Sequence, residues 1–198
     1  MKAWVVHGVA LPFGDEPASW WIDGSGAVHD RPVAGAELLP GGFVLPGLVD
    51  AHAHPAVGSG PAGPVPLTAG AARSNLVAWA QAGITLVRDV GSPGGLTLQL
   101  GSGPGMPALQ APGRFLAPAG PYFPDLLDAP VDEAGLVAGT DAKATYRIDA
   151  IARLVAAAHE AGARVAEHST VPGTGQLVAA GVDSVEHGFG LDERAVRD

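Results

Sequence analysis

His52 and His54, in the stretch FVLPGLVDAHAHP, are separated by a single alanine at the end of an apolar run. That run is typical of a buried strand. Side chains two residues apart on a β-strand leave the same face, so the two imidazoles would lie side by side. Neutral imidazoles placed in this way can bind a divalent ion such as Zn²⁺, whereas protonated ones repel each other. A pair of histidines that only hydrogen-bond at a strand end is the second interpretation.

Later segments of the chain share one pattern, in which a helical stretch and an Ala-Gly pair precede a short β-branched run that ends in a polar residue. The segments are LVAWAQAGITLVRDVG, LVAAAHEAGARVAEHST and QLVAAGVDSVEHG, with a weaker copy in LVAGTDAKAT. A glycine after the last helical turn stops a helix, and helices that alternate with short strands predict βα units and a parallel sheet. The helix predicted over 148–161 would place on its apolar face Ile148, Ile151, Leu154 and Val155.

The polar residues of the three stronger segments have the same spacing. Asp89, His168 and His187 each stand six residues past the glycine of their own segment. In a parallel α/β barrel the carboxyl ends of the strands carry the active site. We therefore expect these side chains at one level of the sheet, together with His52 and His54. Each later histidine could instead be a buried residue that bonds a backbone carbonyl.

The composition excludes several classes of function. The formal net charge of −9 argues against nucleic acid or an anionic membrane as a partner. Cysteine is absent, which excludes disulfides and thiol chemistry and is compatible with the cytoplasm, where we expect the protein. The N-terminal segment lacks the features of a signal peptide, and no apolar run approaches the roughly 20 residues of a membrane span.

Four motifs together resemble one known family. VLPGLVDAHAHP, GITLVRDVG, ARVAEHS and GVDSVEHG, in this order over residues 43–188, are similar to the amidohydrolase superfamily of metal-dependent hydrolases, in particular its imidazolonepropionase- and prolidase-like branch. The resemblance implies a (β/α)₈ barrel with a small β-sandwich built from the flanking segments. We therefore expect an α/β fold: an N-terminal β segment at 1–42, then an incomplete TIM (β/α) barrel of about six βα units at 43–198.

The resemblance also assigns roles to individual residues. It places His52 and His54 at a first metal position, and His168 and His187, on the fifth and sixth barrel strands, at a second one. The metal would be one or two divalent ions, Zn²⁺ in the first instance, and His187 would also be catalytic. Two-metal members use a lysine that has taken up CO₂ as a bridging carbamate. Lys143 is the residue that could do so here, and a solvated lysine is the equal alternative.

Arg88 and Asp89 form a charged pair at the end of a predicted strand. The simplest interpretation is an ion pair between these two neighbours. The alternative is that Arg88 binds a carboxylate of the substrate.

A complete barrel needs roughly 250 residues, and strands seven and eight have no counterpart in this sequence. The resemblance places a metal-binding, proton-shuttling aspartate on the eighth strand. We therefore expect a chain truncated at its C-terminal end, with open barrel edges that favour self-association. The predicted function is hydrolysis of an amide or lactam C–N bond in a small-molecule substrate by a metal-activated water. The alternative is an impaired fragment that binds metal or a partner without turnover.

Overall fold

The computed structural model describes residues 2–113, 115–117, 123–127, 146–169, 173–191 and 193. The chain divides between Leu48 and Val49 into two compact units, and the strand that begins at Leu48 is described with the second unit, which contains its other residues. The first unit consists of β-strands and the second contains both helices and strands, so the chain is a mixed α/β protein.

The first unit contains a small mixed sheet. Its strands are β1 (Trp4–Ala10), β2 (Pro17–Ile22), β3 (Val28–His29), β4 (Glu37–Leu38) and β5 (Phe43–Val44). β1 pairs antiparallel with β2, which pairs antiparallel with β3, while β4 and β5 both run parallel to β1. The short strands predicted for the N-terminal segment are confirmed, and β5 continues their sheet past residue 42.

The second unit alternates strands with helices after an initial hairpin. Its elements are β6 (Leu48–Ala53), β7 (Val57–Gly60), β8 (Gly63–Pro66), α1 (Ala69–Gln81), β9 (Ile84–Asp89), α2 (Leu96–Leu100), β10 (Ala108–Gln110), α3 (Ile148–Glu160), β11 (Ala166–His168), α4 (Gly175–Ala179) and β12 (Ser184–Glu186). β9 lies between β6 and β10 in a three-stranded sheet and is parallel to β10. β11 and β12 form a parallel pair, and β7 and β8 an antiparallel one.

The predicted helix stops are confirmed at three glycines. Gly83, Gly162 and Gly181 follow α1, α3 and α4 with φ angles of 93°, 73° and 87°. A residue with a Cβ adopts this left-handed region only at a cost, so glycine ends each helix and turns the chain into the next strand. At its other end, α1 is capped by the Thr68 hydroxyl, which accepts a hydrogen bond from the amide of Ala71.

Two hydrophobic clusters lie in the second unit, one beside β9 and one beside β11 and β12, whose sheets each contain a parallel pair of strands. The cluster beside β9 contains Ala53, Ala56, Ala72, Leu76, Val87 and Leu100. The cluster beside β11 and β12 contains Tyr146, Ile151, Leu154, Val155, Val165 and Leu177. The predicted apolar face of α3 is correct for three of its four residues, but Ile148 is 37% exposed because it is the first residue of the helix, and Ala150 is buried.

The apolar start of β6 is not buried as the sequence suggested. Leu48 and Val49 are 55% and 57% exposed, and burial begins only towards Ala53 at the end of the strand. The six-unit barrel stays a prediction, because the described strands of the second unit belong to separate sheets and the segment 136–145 lies outside the described residues. Over the part of the chain that the structure describes, no helix combines the length and apolar character that crossing a bilayer requires.

Candidate functional site

His52 and His54 lie at the carboxyl end of β6. His52 is in the strand and His54 directly follows it, and their side chains are 31% and 33% exposed. The ring centroids are 5.4 Å apart. The two imidazoles are therefore close neighbours, as side chains two residues apart on a strand should be.

The two later histidines lie at the ends of the other parallel pair of strands. His168 is the last residue of β11 and His187 directly follows β12. The His187 ring centroid is 4.2 Å from that of His168 and 4.6 Å from that of His52. The four rings thus form a continuous series in the order His54, His52, His187, His168, which we call the imidazole row. Both parallel sheets of the second unit contribute to it.

His187 has an unusual backbone conformation. Its φ angle is 67°, the left-handed region that costs a residue with a Cβ about 1–2 kcal/mol. Such a conformation persists where surrounding contacts require it, and it is frequent at functional sites. Here it turns the chain sharply after Glu186 and places the His187 ring between those of His52 and His168.

Glu186 forms a hydrogen bond with one ring of the imidazole row, that of His52. Its Oε2 accepts a hydrogen bond from His52 Nδ1 at 2.7 Å, and its Oε1 accepts from Arg88 Nη1 and from the Ser184 hydroxyl, both at 2.7 Å. Burial is the largest influence on this carboxyl and raises its pKa, but the three donors together outweigh burial and lower the pKa to about 2. Glu186 is therefore ionised at neutral pH.

Arg88 pairs with Glu186 and not with its neighbour Asp89. Its Nη1 donates to Glu186 and also to the carbonyl of Ala51, at 3.0 Å. Consecutive side chains on a strand point to opposite faces, so Arg88 and Asp89 at the end of β9 cannot form the ion pair that the sequence suggested. Binding of a substrate carboxylate by Arg88 stays a prediction.

Asp89 belongs to a buried polar network behind His54. It accepts hydrogen bonds from the amide of Gly91, at 3.2 Å, and from the hydroxyl of Thr97. The Thr97 hydroxyl in turn lies 2.8 Å from that of Ser92, which also lies 3.4 Å from the carbonyl oxygen of Gly113. Asp89 and both hydroxyl residues are no more than 1% exposed. Asp89 is the last residue of β9, and its carboxylate points into this network.

His54 is held by the main chain next to that network. Its Nδ1 lies 2.9 Å from the carbonyl oxygen of Gly91 and 3.8 Å from Asp89 Oδ1. Burial is the largest influence on the pKa of His54 and lowers it, but Asp89 and the Gly91 carbonyl more than compensate, and the net pKa is raised. Gly91 has a φ of 142°, and a Cβ there would come within 2.5 Å of the Phe115 ring, so only glycine fits.

His187 shows the opposite tendency. Its pKa is lowered, first by desolvation and then by the neighbouring His52 ring. An imidazole that stays neutral keeps one nitrogen lone pair, which can bind a metal ion or accept a proton.

The donor chemistry of His52 and His54 fits a divalent metal. A carboxylate and a carbonyl oxygen can only accept, so each Nδ1 carries the proton and each Nε2 keeps its lone pair. Histidines that bind metals are held in this way by a second partner. Within the described residues, however, no three His, Cys, Asp or Glu side chains converge as a complete set of ligands. Lys143, the predicted carbamate, lies outside the described residues.

Glu186, Ser92 and Thr97 were not identified from the sequence. Glu186 did carry a signal, because a charged residue occupies the last position of a three-residue strand, directly before a histidine predicted to be a ligand. The same Glu-His pair occurs at Glu167 and His168 in β11, and His168 lies opposite Glu186 in the parallel register. Ser92 and Thr97 carried no comparable signal.

The curated proteins that are similar to this chain in sequence are longer than the chain. No family model matches the chain. It is 32% identical over 219 residues to the uncharacterized proteins Rv2915c of Mycobacterium tuberculosis and Mb2939c of Mycobacterium bovis. In both cases the match covers 96% of this chain and 56% of the relative. The chain thus spans about half the length of these curated relatives.

Solved structures share the fold over nearly the whole chain. A Xaa-Pro dipeptidase with methionine bound in its active site matches with a TM-score of 0.68 at 21% identity, covering 99% of this chain and 64% of its own. An amidohydrolase matches with a TM-score of 0.65 at 20% identity, and a prolidase complexed with N-methylphosphonate-L-proline with 0.65 at 24%. Each of these two covers 99% of this chain and 63% of its own. The chain therefore has the fold of amidohydrolase- and prolidase-type proteins, of which it spans somewhat less than two thirds.

Proposed function

We propose that this protein is a metal-dependent hydrolase of the amidohydrolase type, which cleaves an amide or lactam C–N bond. The imidazole row is the observation that carries the proposal. Four histidines from separate parts of the sequence meet at the carboxyl ends of their strands, with neighbouring ring centroids 4.2 to 5.4 Å apart. A structural role for each histidine alone would not require this convergence. The amidohydrolase-type fold supports the same conclusion.

His52 and His54 would hold a first divalent ion, Zn²⁺ in the first instance, through their Nε2 atoms. His168 and His187 would hold a second ion or, with one ion bound, face the substrate. An ion held there would supply Lewis-acid chemistry, which activates water and polarises a scissile carbonyl. Glu186 and the Gly91 carbonyl keep the first two rings oriented. In this proposal Lys143 would be the bridging carbamate if two ions bind. Arg88 would bind a substrate carboxylate through the part of its guanidinium that does not bind Glu186.

The substrate class that we propose is a small dipeptide-like or N-acyl compound. Among the solved structures with this fold are a Xaa-Pro dipeptidase that holds methionine and a prolidase that holds a phosphonate compound of proline. Both bound compounds are amino acids or derivatives of amino acids. A compound of this size suits a site reached from the ends of the strands.

A second function would use the same imidazole row without catalysis. In this second proposal the chain binds metal, or another copy of itself through open strand edges, without turnover. The two proposals differ in catalysis and agree on metal binding by the imidazole row.

Hydrolysis assays on the metal-stripped and reloaded chain distinguish these proposals. The purified chain is treated with a chelator, reloaded with Zn²⁺ or Mn²⁺, and incubated with Xaa-Pro dipeptides and N-acyl amino acids while amine release is measured. We expect turnover that requires metal and is lost in the His52→Ala/His54→Ala double variant. The matched control is His7→Ala, which changes an exposed histidine of β1 in the first unit. Turnover that persists without metal, or in the double variant, would contradict the first proposal, and metal binding without turnover would support the second.

A further inference from the structure

Glu186 connects the two parallel sheets of the second unit. It lies in β12, beside β11, and its carboxylate bonds to His52 of β6 and to Arg88 of β9. Its side chain is only 9% exposed. A buried carboxylate is costly unless its oxygens are well supplied with donors. Three donors at 2.7 Å meet this requirement, and they come from three different strands.

The division of the donors between the two oxygens has a chemical consequence. Arg88 and Ser184 occupy Oε1, so Oε2 is left for His52. With Oε1 accepting from both Arg88 and Ser184, Oε2 is the acceptor that faces His52, so the carboxylate selects the tautomer of His52 that carries its proton on Nδ1. The Nε2 lone pair then points away from Glu186. Arg88 reinforces this arrangement, since the same Nη1 also binds the carbonyl of Ala51, directly before His52.

We propose that Glu186 is the positioning residue of His52 and that Arg88 orients Glu186. The carboxylate fixes both the tautomer and the ring orientation of His52, so that Nε2 is presented to the imidazole row. The metal-binding consequence rests on the proposed function, whereas the tautomer is a property of the metal-free chain. Partners of this kind change metal affinity by about 10–100-fold when they are removed.

His54 serves as an internal control for this proposal. Its Nδ1 is held by a main-chain carbonyl and not by Glu186. A substitution at Glu186 should therefore change the tautomer of His52 and leave that of His54 unchanged. Loss of structure around the site would disturb both rings. Glu160→Gln is the matched control variant, because it makes the same chemical change at the exposed end of α3.

The experiment is ¹⁵N NMR of histidine-labelled, metal-free protein in the pH range where the rings are neutral. In the wild-type chain we expect His52 as the Nδ1–H tautomer. In Glu186→Gln, the amide can turn its NH₂ group towards His52, so we expect the Nε2–H tautomer to become populated. Competition with a chromophoric chelator should show that the affinity for Zn²⁺ falls about 10–100-fold. Glu160→Gln should match the wild type in both measurements.

The outcomes separate this proposal from the proposed function. A wild-type His52 with its proton on Nε2 would overturn the role of Glu186 and needs no variant, so the test survives a Glu186→Gln chain that does not fold. An unchanged His52 tautomer in Glu186→Gln would overturn it as well. A tautomer that shifts as expected in a chain without hydrolytic activity would support the role of Glu186 and contradict the catalytic function alone.

Discussion

Two polar clusters in the second unit each contain a buried serine–threonine pair, and they differ in the group to which the threonine donates its hydrogen bond. Behind β9, the hydroxyls of Ser92 and Thr97 lie 2.8 Å apart, and Thr97 donates to the carboxylate of Asp89. Behind β11, the hydroxyls of Ser169 and Thr174 also lie 2.8 Å apart, and Thr174 donates to the carbonyl of Phe189. Both pairs are five residues apart and buried. The first cluster thus ends on a side-chain carboxylate and the second on a main-chain carbonyl.

The difference explains what each cluster contributes to the imidazole row. The cluster behind β9 uses the strand-end residue itself, Asp89, to hold the Gly91 loop that binds His54. In the segment of β11, the strand-end residue His168 belongs to the imidazole row. The cluster there holds the loop that follows His187 through the hydrogen bond of Thr174 to the Phe189 carbonyl. Asp89 and His168 occupy the same position in their segments, but Asp89 supports the loop that binds His54, whereas His168 is a member of the imidazole row.

The largest effect should follow from removing the hydrophobic support of one cluster. Leu76 of α1 is completely buried beside β9. We expect Leu76→Ala to lower the free energy of unfolding by about 2–5 kcal/mol, because it removes apolar contacts and leaves a cavity. Chemical denaturation measures the change. Leu98→Ala, at an exposed position of α2, is the control and should stay within about 0.5 kcal/mol of the wild type. Equal losses in the two variants would contradict the assignment of this core.

An intermediate effect should separate the cluster that ends on Asp89 from the cluster that ends on the Phe189 carbonyl. Thr97→Val removes a hydrogen bond to the buried Asp89 carboxylate and should cost about 1.5–3 kcal/mol. Thr174→Val removes a hydrogen bond to a neutral carbonyl and should cost about 0.5–1.5 kcal/mol. Both changes keep the shape of the side chain, so denaturation of the two variants compares the acceptors directly. A larger loss for Thr174→Val would reverse the proposed difference between the clusters.

The smallest effect should be a pH-dependent one beside β11. Asp183 accepts hydrogen bonds from the amide of Val165 and from His159 Nε2, both at 2.8 Å, and these lower its pKa. A lowered carboxylate pKa contributes stability above the usual carboxylate range, and this is lost as the pH falls through the folded-state pKa. Asp183→Asn should therefore have a lower melting temperature than the wild type at neutral pH. The gap should close as the pH falls into the acid range, and a gap that widened there would contradict this sign.

The repeated segments were predictable because their signals are local. Gly83, Gly162 and Gly181 each follow an apolar helical pattern by one or two positions, and the structure places all three in the left-handed region. The same spacing places Asp89 and His168 at the ends of β9 and β11 and His187 directly after β12. Local spacing fixes where a side chain occurs along a strand, and it does not fix which face receives it.

The partners of these residues were not predictable for the same physical reason. Glu186 and His52 are 134 positions apart, and Arg88 and Glu186 are 98 apart, so no local pattern joins them. Whether Arg88 pairs with Glu186 or with Asp89 depends on how the sheet that contains β9 lies against the β11–β12 pair. The exposure of Leu48 and Val49 likewise depends on what packs around β6, which hydrophobicity alone does not determine.

Zn K-edge X-ray absorption on the purified chain, reloaded with one equivalent of Zn²⁺, tests most directly whether the imidazole row is a metal centre. We expect imidazole nitrogens at about 2.0–2.1 Å from the metal, with the multiple-scattering pattern of at least two rings. In the His52→Ala/His54→Ala variant that pattern should weaken by the contribution of those two rings. A shell of oxygen ligands alone, unchanged in the double variant, would contradict a metal centre built on His52 and His54.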